Sequence, residues 1–301
     1  VVIFRDGSDR AGRMAPLSSR LDDDPRALWS HLAGYEQRTG GRVLAIPHNG
    51  NLSNGLMFPV AERLHGRAVD AEYARQRARW EPVVEVTQIK GDGETHPLLS
   101  PDDEFADYET WDLANFEGAP KTPEMLPHEY ARPALRNGLL LEQALGINPY
   151  RFGMIGATDS HTGLTTAEED NFFGKHSAVE PGPQRWQHPV GKAGDRLVRG
   201  WQMVSSGYAA VWARANNRES IWDAIKRREV YATTGPRITV RFFGGWEFEA
   251  QDASHPDLAT VGYRKGVPMG GELTAGSHGA PRFLVAASRD PLGANLDRIQ
   301  I

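Results

Sequence analysis

Apolar and polar positions recur in the same order three times along the first half of the chain. DPRALWSHLAGYEQRTG reads as an amphipathic helix, and RVLAIPHNG follows it with Val43, Leu44, Ala45 and Ile46 running into a polar turn. YARQRARWEP closes a second helix, and PVVEVTQIKG reads as a second strand that ends in Lys, Gly and acids. ALRNGLLLEQALGINPYRFGMIGATDSH repeats the pattern, with Leu139, Leu140, Leu141 and Leu145 in a helix, a turn at Asn148-Pro149, then a strand and a polar loop. Three helix–strand units whose strands end in His, Glu, Lys or Asp predict a parallel α/β architecture. In such folds chemistry gathers at the carboxyl ends of the strands.

The pattern then changes. Residues 164–216 contain Gly, Pro, His and Trp without periodicity, which predicts a lid, an interface or disorder, while Trp186, Trp201 and Trp212 are expected to pack in the core. Asn217 is placed to cap RESIWDAIKRREV, which carries Ile221, Trp222 and Ile225 on one face. From Pro236 the period becomes two, in RITVRFFGG and RFLVAAS, with glycine-rich turns between. The expected division is therefore an α/β unit over 1–235 and a small β-rich appendage over 236–301.

Composition narrows the chemistry. The 34 Lys+Arg against 39 Asp+Glu leave a net charge of -5 with no long basic run, so nucleic acid is not an expected partner. A local basic pocket for a small-molecule anionic substrate remains compatible with that balance. No apolar run approaches the ~20 residues of a membrane span. The absence of cysteine removes disulfides, thiolate nucleophiles and cysteine zinc sites, so any metal must be held by His, Asp and Glu. There is no Gly-x-Ser-x-Gly elbow, phosphate-cradling glycine loop or dinucleotide fingerprint, so acyl-enzyme, kinase and hydride-transfer chemistry have no support. VVIFRDG at the start and RFLVAASRDPLGANLDRIQI at the end both read as cut, so the chain is expected to be a piece of a longer protein. Compartment and oligomeric state stay open.

Four clusters carry candidate chemistry. Asp159 and His161 follow the strand FGMIGAT, and in an extended backbone they point to one side, as a metal pair or as a turn cap beside a solvated imidazole. His48, in AIPHNGNLSNG, also stands at a strand end, next to Asn49, whose neighbours Asn51, Ser53 and Asn54 build a turn or position substrate oxygens. Glu85, flanked by valines in VVEVTQ, needs a partner if buried. Gln88, Lys90, Glu94 and His96 follow it and offer a cation and a second acid–imidazole pair, and Arg237 in TTGPRI either meets an anion or completes a Gly-Pro turn.

Taken together, AIPHNGNLSNG, VVEVTQIKGDGETHP, SPDDEFADYE, FGMIGATDSHTG, EEDNFFGKH, SSGYAAVWA and REVYATTGPRI resemble the bacterial domain-of-unknown-function family 3604 (DUF 3604), over nearly the full length. That family is similar to the PHP (polymerase and histidinol phosphatase) metallohydrolases. The resemblance implies a distorted (β/α)7 barrel, of which this chain would form the C-terminal portion. It also implies two or three divalent metal ions, zinc, manganese or iron, and hydrolysis of phosphate esters. By motif, His48, Asp159 and His161 would be metal ligands. Glu85 would line the site behind them or join them, and Glu85 and Lys90 would be the catalytic pair. Asn49, Lys90, Glu94, His96 and Arg237 would face the substrate. The superfamily's opening His-x-His strand, and the Thr-Asp-His and bridging glutamate expected upstream, are not in this sequence. The expected activity, for the longer parent protein, is that of a metal-dependent phosphoesterase, with this stretch alone expected to be inactive or to turn over weakly. The alternatives are a binding protein without turnover and a hydrolase of a non-phosphate bond.

Overall fold

Asp24 accepts the Arg26 amide and Gly40 turns left-handed (φ 65), so Pro25–Thr39 is helical between a polar N-cap and a glycine C-cap. The same devices recur singly at other helix ends. Asp70 caps Ala71–Trp80, Gly146 (φ 76) ends Ala131–Leu145, and Asn217 accepts the Ser220 amide at the start of Arg218–Lys226. The computed structural model describes residues 1–20, 22–60, 63–113, 115, 120–162, 175, 182–193, 195–203, 207–275 and 279–301.

The strand Val83–Gln88 is buried along its whole length and lies at the centre. Its alternate residues separate two cores, as the two-residue period requires. Val83 packs with Leu44, Ile155, Trp222 and Val230, whereas Val84 and Val86 pack with Ala134, Leu141 and Tyr150 beneath the helix Ala131–Leu145. Of that helix's leucines, Leu141 faces inward, while Leu139 and Leu140 are exposed. Val83–Gln88 pairs in parallel with Gly153–Gly156, and on its other side the Glu85 N–H donates to the Pro47 carbonyl, after Val43–Ala45, at 3.0 Å. Val2–Phe4 pairs antiparallel with Val43–Ala45, and Tyr208–Val211 pairs antiparallel with Val230–Thr233.

The expected (β/α)7 barrel does not form. Among the described residues the strands fall into six separate sheets of two or three strands, and the one parallel pairing is Val83–Gln88 with Gly153–Gly156. A closed barrel needs every strand to have two strand neighbours in a staggered ring. Here the short antiparallel strand Gly91–Asp92 ends the sheet on one side of Val83–Gln88, and among the described residues Gly153–Gly156 on the other side has no further ladder partner.

Of the segment 164–216 expected to be irregular, residues 164–174, 176–181, 194 and 204–206 lie outside the described ones, and several of the others depart from that expectation. Pro189–Ala193 and Arg196–Arg199 form a hairpin, and Tyr208–Val211 is a strand. Trp186 and Trp201 are not core residues but are 53% and 61% exposed on the turns beside that hairpin. Beyond Pro236, Thr239–Gly245 lies between Gly266–Pro268 and Arg282–Ser288 in an antiparallel sheet, with Phe243, Phe248, Val261 and Leu284 at its core. No helix among the described residues is long and apolar enough to cross a membrane.

Candidate functional site

The loops after Val43–Ala45, Val83–Gln88 and Gly153–Gly156 leave the same end of the molecule and surround a cavity of about 420 Å³. His48 and Asn49 come from the first loop, Lys90 from the second, and Asp159 and His161 from the third. The hairpin Pro189–Arg199 forms the opposite wall with Val190, Lys192 and Val198. Trp111 closes one side, held by its indole N–H on the Gln202 carbonyl at 2.7 Å. Gly91 (φ 100) allows that placement, because a Cβ there would stand 2.4 Å from the Trp111 Cβ.

Asp159 is the centre of the polar arrangement. Its Oδ2 accepts from the Lys90 ammonium and, at 2.6 Å, from the Lys175 ammonium, while Lys175 Nζ also donates to the Asp159 carbonyl. His161 Nε2 lies 3.2 Å from Asp159 Oδ1 and 3.2 Å from Lys175 Nζ. The pair does not meet through an extended backbone as expected: Asp159 is left-handed (φ 49), and that turn folds His161 back over the carboxylate.

Burial and mutual repulsion set the charges. Burial, with Lys175 adding to it, pushes Lys90 down to about 7, and burial pulls Lys175 down to about 8. His48 is lowered to about 4, chiefly by burial, so its imidazole is neutral at pH 7. His161 is lowered by burial and by the two lysines.

Glu85 is buried directly behind this wall. Its Oε2 accepts the Gln88 amide at 3.2 Å and the Asn49 N–H at 3.4 Å. Gln88 also donates to Asn49 Oδ1 at 2.5 Å and accepts from Lys90 Nζ at 2.7 Å. Burial raises the Glu85 carboxyl to about 7, against those hydrogen bonds. Glu85 therefore acts on the cavity through Gln88, Asn49 and Lys90.

The remaining candidates lie elsewhere. Glu94 pairs with the Arg132 guanidinium. His96 is buried between the Leu98 N–H, which donates to its Nδ1, and Asp112, 2.9 Å from its Nε2. Arg237 stands over the Tyr208 ring at 5.6 Å, and its backbone N–H donates to Asp290. Asn51 holds the second loop through the Lys90 carbonyl at 2.9 Å, so it builds the site without facing the cavity. Lys175 and Lys192 were not singled out from the sequence. Lys175 belongs to EEDNFFGKH, whose other residues lie outside the described ones, and no spacing marks it.

The donors fit a divalent ion in kind, since burial keeps His48 neutral with a nitrogen lone pair and Asp159 and His161 are adjacent. They are not already gathered for one: among the described residues no group of three His, Cys, Asp or Glu side chains is arranged to hold a metal.

A family model described as protein of unknown function (DUF3604) matches residues 1–301. No curated protein and no solved structure matches the chain.

Proposed function

The chain belongs to the DUF3604 family, and on that premise we propose that it acts in metal-dependent hydrolysis of small anionic esters, phosphate esters first among them. The observation that supports this is a single cavity in which Lys90, Lys175 and Lys192 accompany His48, Asp159 and His161. Three lysines against one carboxylate favour an anionic ligand, whose charge would return the lowered Lys90 and Lys175 to their ammonium forms. Asp159, His161 and neutral His48 are the groups that would hold zinc, manganese or iron. The ion, when bound, supplies an acidified water and countercharge for the phosphoryl oxygens.

The protein's own residues bind and orient. Lys192 approaches the anion from the hairpin, and Lys90 is aimed by Gln88, which Glu85 holds in turn. Leu52, Val198 and Met203 give the cavity an apolar side that thins the water around those charges and strengthens them. Glu85 is thus a positioning residue.

A second reading, a binding protein without turnover, is favoured by one observation: the ammoniums of Lys90 and Lys175 already engage the Asp159 carboxylate. The two separate experimentally. The purified chain is analysed for metal and assayed on generic phosphomonoesters and phosphodiesters with manganese or zinc, beside His161→Ala. Hydrolysis is expected, with metal affinity falling at least about tenfold in the variant. Wild-type protein that binds no metal, or activity unchanged by the substitution, refutes the hydrolase. Retained anion binding without turnover selects the second reading.

A further inference from the structure

A second cavity, of about 600 Å³, lies beside Trp212, Glu229 and Tyr263. The strand pair Tyr208–Val211 and Val230–Thr233 separates it from the first. Tyr208 and Thr233, opposite each other, border Gly156 at the candidate site, whereas Val211 and Val230 pair at the other end. Trp212 N–H then donates to the Glu229 carbonyl at 3.0 Å and extends the ladder to the second cavity. Four residues of strand at ~3.3 Å each place the two roughly 13 Å apart.

Three guanidiniums, of Arg214, Arg227 and Arg241, line this cavity against one carboxylate, Glu229. That carboxylate is already engaged, because it is buried and accepts from the Tyr263 hydroxyl on Oε1 and from Arg227 Nη2 at 3.3 Å on Oε2. Arg241 stacks on Trp212, with its guanidinium carbon 3.2 Å from the ring centroid, and one nitrogen stands 3.4 Å from the Tyr263 hydroxyl. The indole is itself fixed by its N–H on the Val240 carbonyl at 2.9 Å. A guanidinium held flat on an indole keeps its in-plane N–H edge for an oxyanion. Among the described residues no carboxylate pairs with Arg214 or Arg241. The cavity therefore carries two positive charges in excess, on donors whose geometry matches a tetrahedral oxyanion.

We propose that this cavity is a second anion site, taking a dianionic oxyanion of the phosphate or sulfate type, separate from the hydrolytic site proposed above and independent of it. Trp212, Tyr263 and Pro268 supply a flat apolar border, which suits an oxyanion attached to a ring.

Calorimetric titration of the whole chain with inorganic phosphate at low ionic strength tests this, in wild type, Arg214→Gln/Arg241→Gln and Lys192→Gln. The expected result is a phosphate-binding event that weakens at least about tenfold in the arginine pair variant and persists in Lys192→Gln. Arg241→Lys, which keeps the charge and loses the fork, is expected to fall between wild type and the pair variant. Circular dichroism and urea midpoints establish that the variants are folded. A pair variant that titrates like wild type overturns the proposal, and so does phosphate binding lost in Lys192→Gln alone. Failure of the hydrolytic reading removes activity and leaves this binding event in place, so the two results are distinguishable. Titration with sulfate in the same series separates recognition of the tetrahedral dianion from recognition of phosphate alone.

Discussion

Breaking the buried ion pair Arg77–Glu81 should cost more than any single hydrogen bond in the molecule, and the double variant should recover most of the loss. The pair closes at 3.0 Å, one turn apart at the end of the helix Ala71–Trp80, with side chains only 6% and 8% exposed. Arg77 donates to the Tyr73 hydroxyl at 2.9 Å, and Glu81 accepts the Trp29 indole N–H at 2.8 Å. Above the guanidinium lie the Tyr150 ring at 4.8 Å and the Phe58 ring at 5.4 Å. Burial works against the charge on Arg77, and Tyr73 and Glu81 outweigh it, so the guanidinium is held above its ordinary range. Glu81→Gln keeps an acceptor for Trp29 but leaves that cation without its counterion. The expected cost is ~3–5 kcal/mol, as for other buried pairs that lose one member. Arg77→Met should cost a similar amount by stranding the carboxylate. The double variant Arg77→Met/Glu81→Gln strands neither charge, and is expected within ~2 kcal/mol of wild type because desolvation of the pair offsets much of its attraction. Urea denaturation followed by tryptophan fluorescence reads the midpoints at constant slope. Single variants each costing under ~1 kcal/mol, with an additive double variant, would refute the reasoning.

Two further predictions concern the site. The Glu85 carboxyl rises from 4.5 to about 7 on folding, so its contribution to stability is fully present below pH 4.5 and is lost as pH rises through about 7. Glu85→Gln carries no charge, so its stability relative to wild type should increase from pH 5 to pH 8, by up to ~3 kcal/mol; denaturation midpoints that stay parallel across that range contradict the assignment. In Gly156→Ala the added Cβ would stand 2.7 Å from the Tyr208 carbonyl oxygen and 3.0 Å from that of Thr233. This crowding should destabilise by ~1–3 kcal/mol and weaken phosphate binding in the cavity, which thermal melts and titration measure together.

Local structure was legible wherever periodicity and punctuation agreed. The helices Pro25–Thr39 and Arg218–Lys226, and the strands Val43–Ala45 and Val83–Gln88, stand where apolar spacing and caps put them. What the pattern did not carry was pairing. Helix–strand order is common to closed barrels and to small sheets divided by hairpins, and the apolar residues of a hairpin such as Pro189–Arg199 are too few to give a period. Two of the three tryptophans expected inside, Trp186 and Trp201, sit on turns of three residues, which have no inner face to bury them.

The site divided in the same way. His48, Asn49, Lys90, Asp159 and His161 were visible as polar residues at strand ends, and they share one cavity. Glu94 and His96 follow the same strand but are drawn off by Arg132 and Asp112. Such competition for partners is a property of three dimensions. Lys175 and Lys192 reach the cavity from a region without periodic signal.

The first strand has an attachment that sets the order in which the protein can fold. Val2–Phe4 pairs with Val43–Ala45 on one edge, but its neighbours are fixed from far along the chain. Trp222 donates to the Ile3 carbonyl at 3.1 Å, Asp223 receives the Arg5 guanidinium in two bonds of 2.8 and 3.0 Å, and Arg218 reaches the Asp6 carbonyl at 2.9 Å. Loops closed over such separations form late. On a ribosome adding ~5–20 residues each second, the opening strand waits on the order of ten seconds or more for the helix that clamps it. For that interval the helix Arg218–Lys226 cannot hold it, and its pairing with Val43–Ala45 is the more local contact. Substitutions in Arg218–Lys226 therefore bear on the yield of folded protein during synthesis as well as on the stability of the finished molecule.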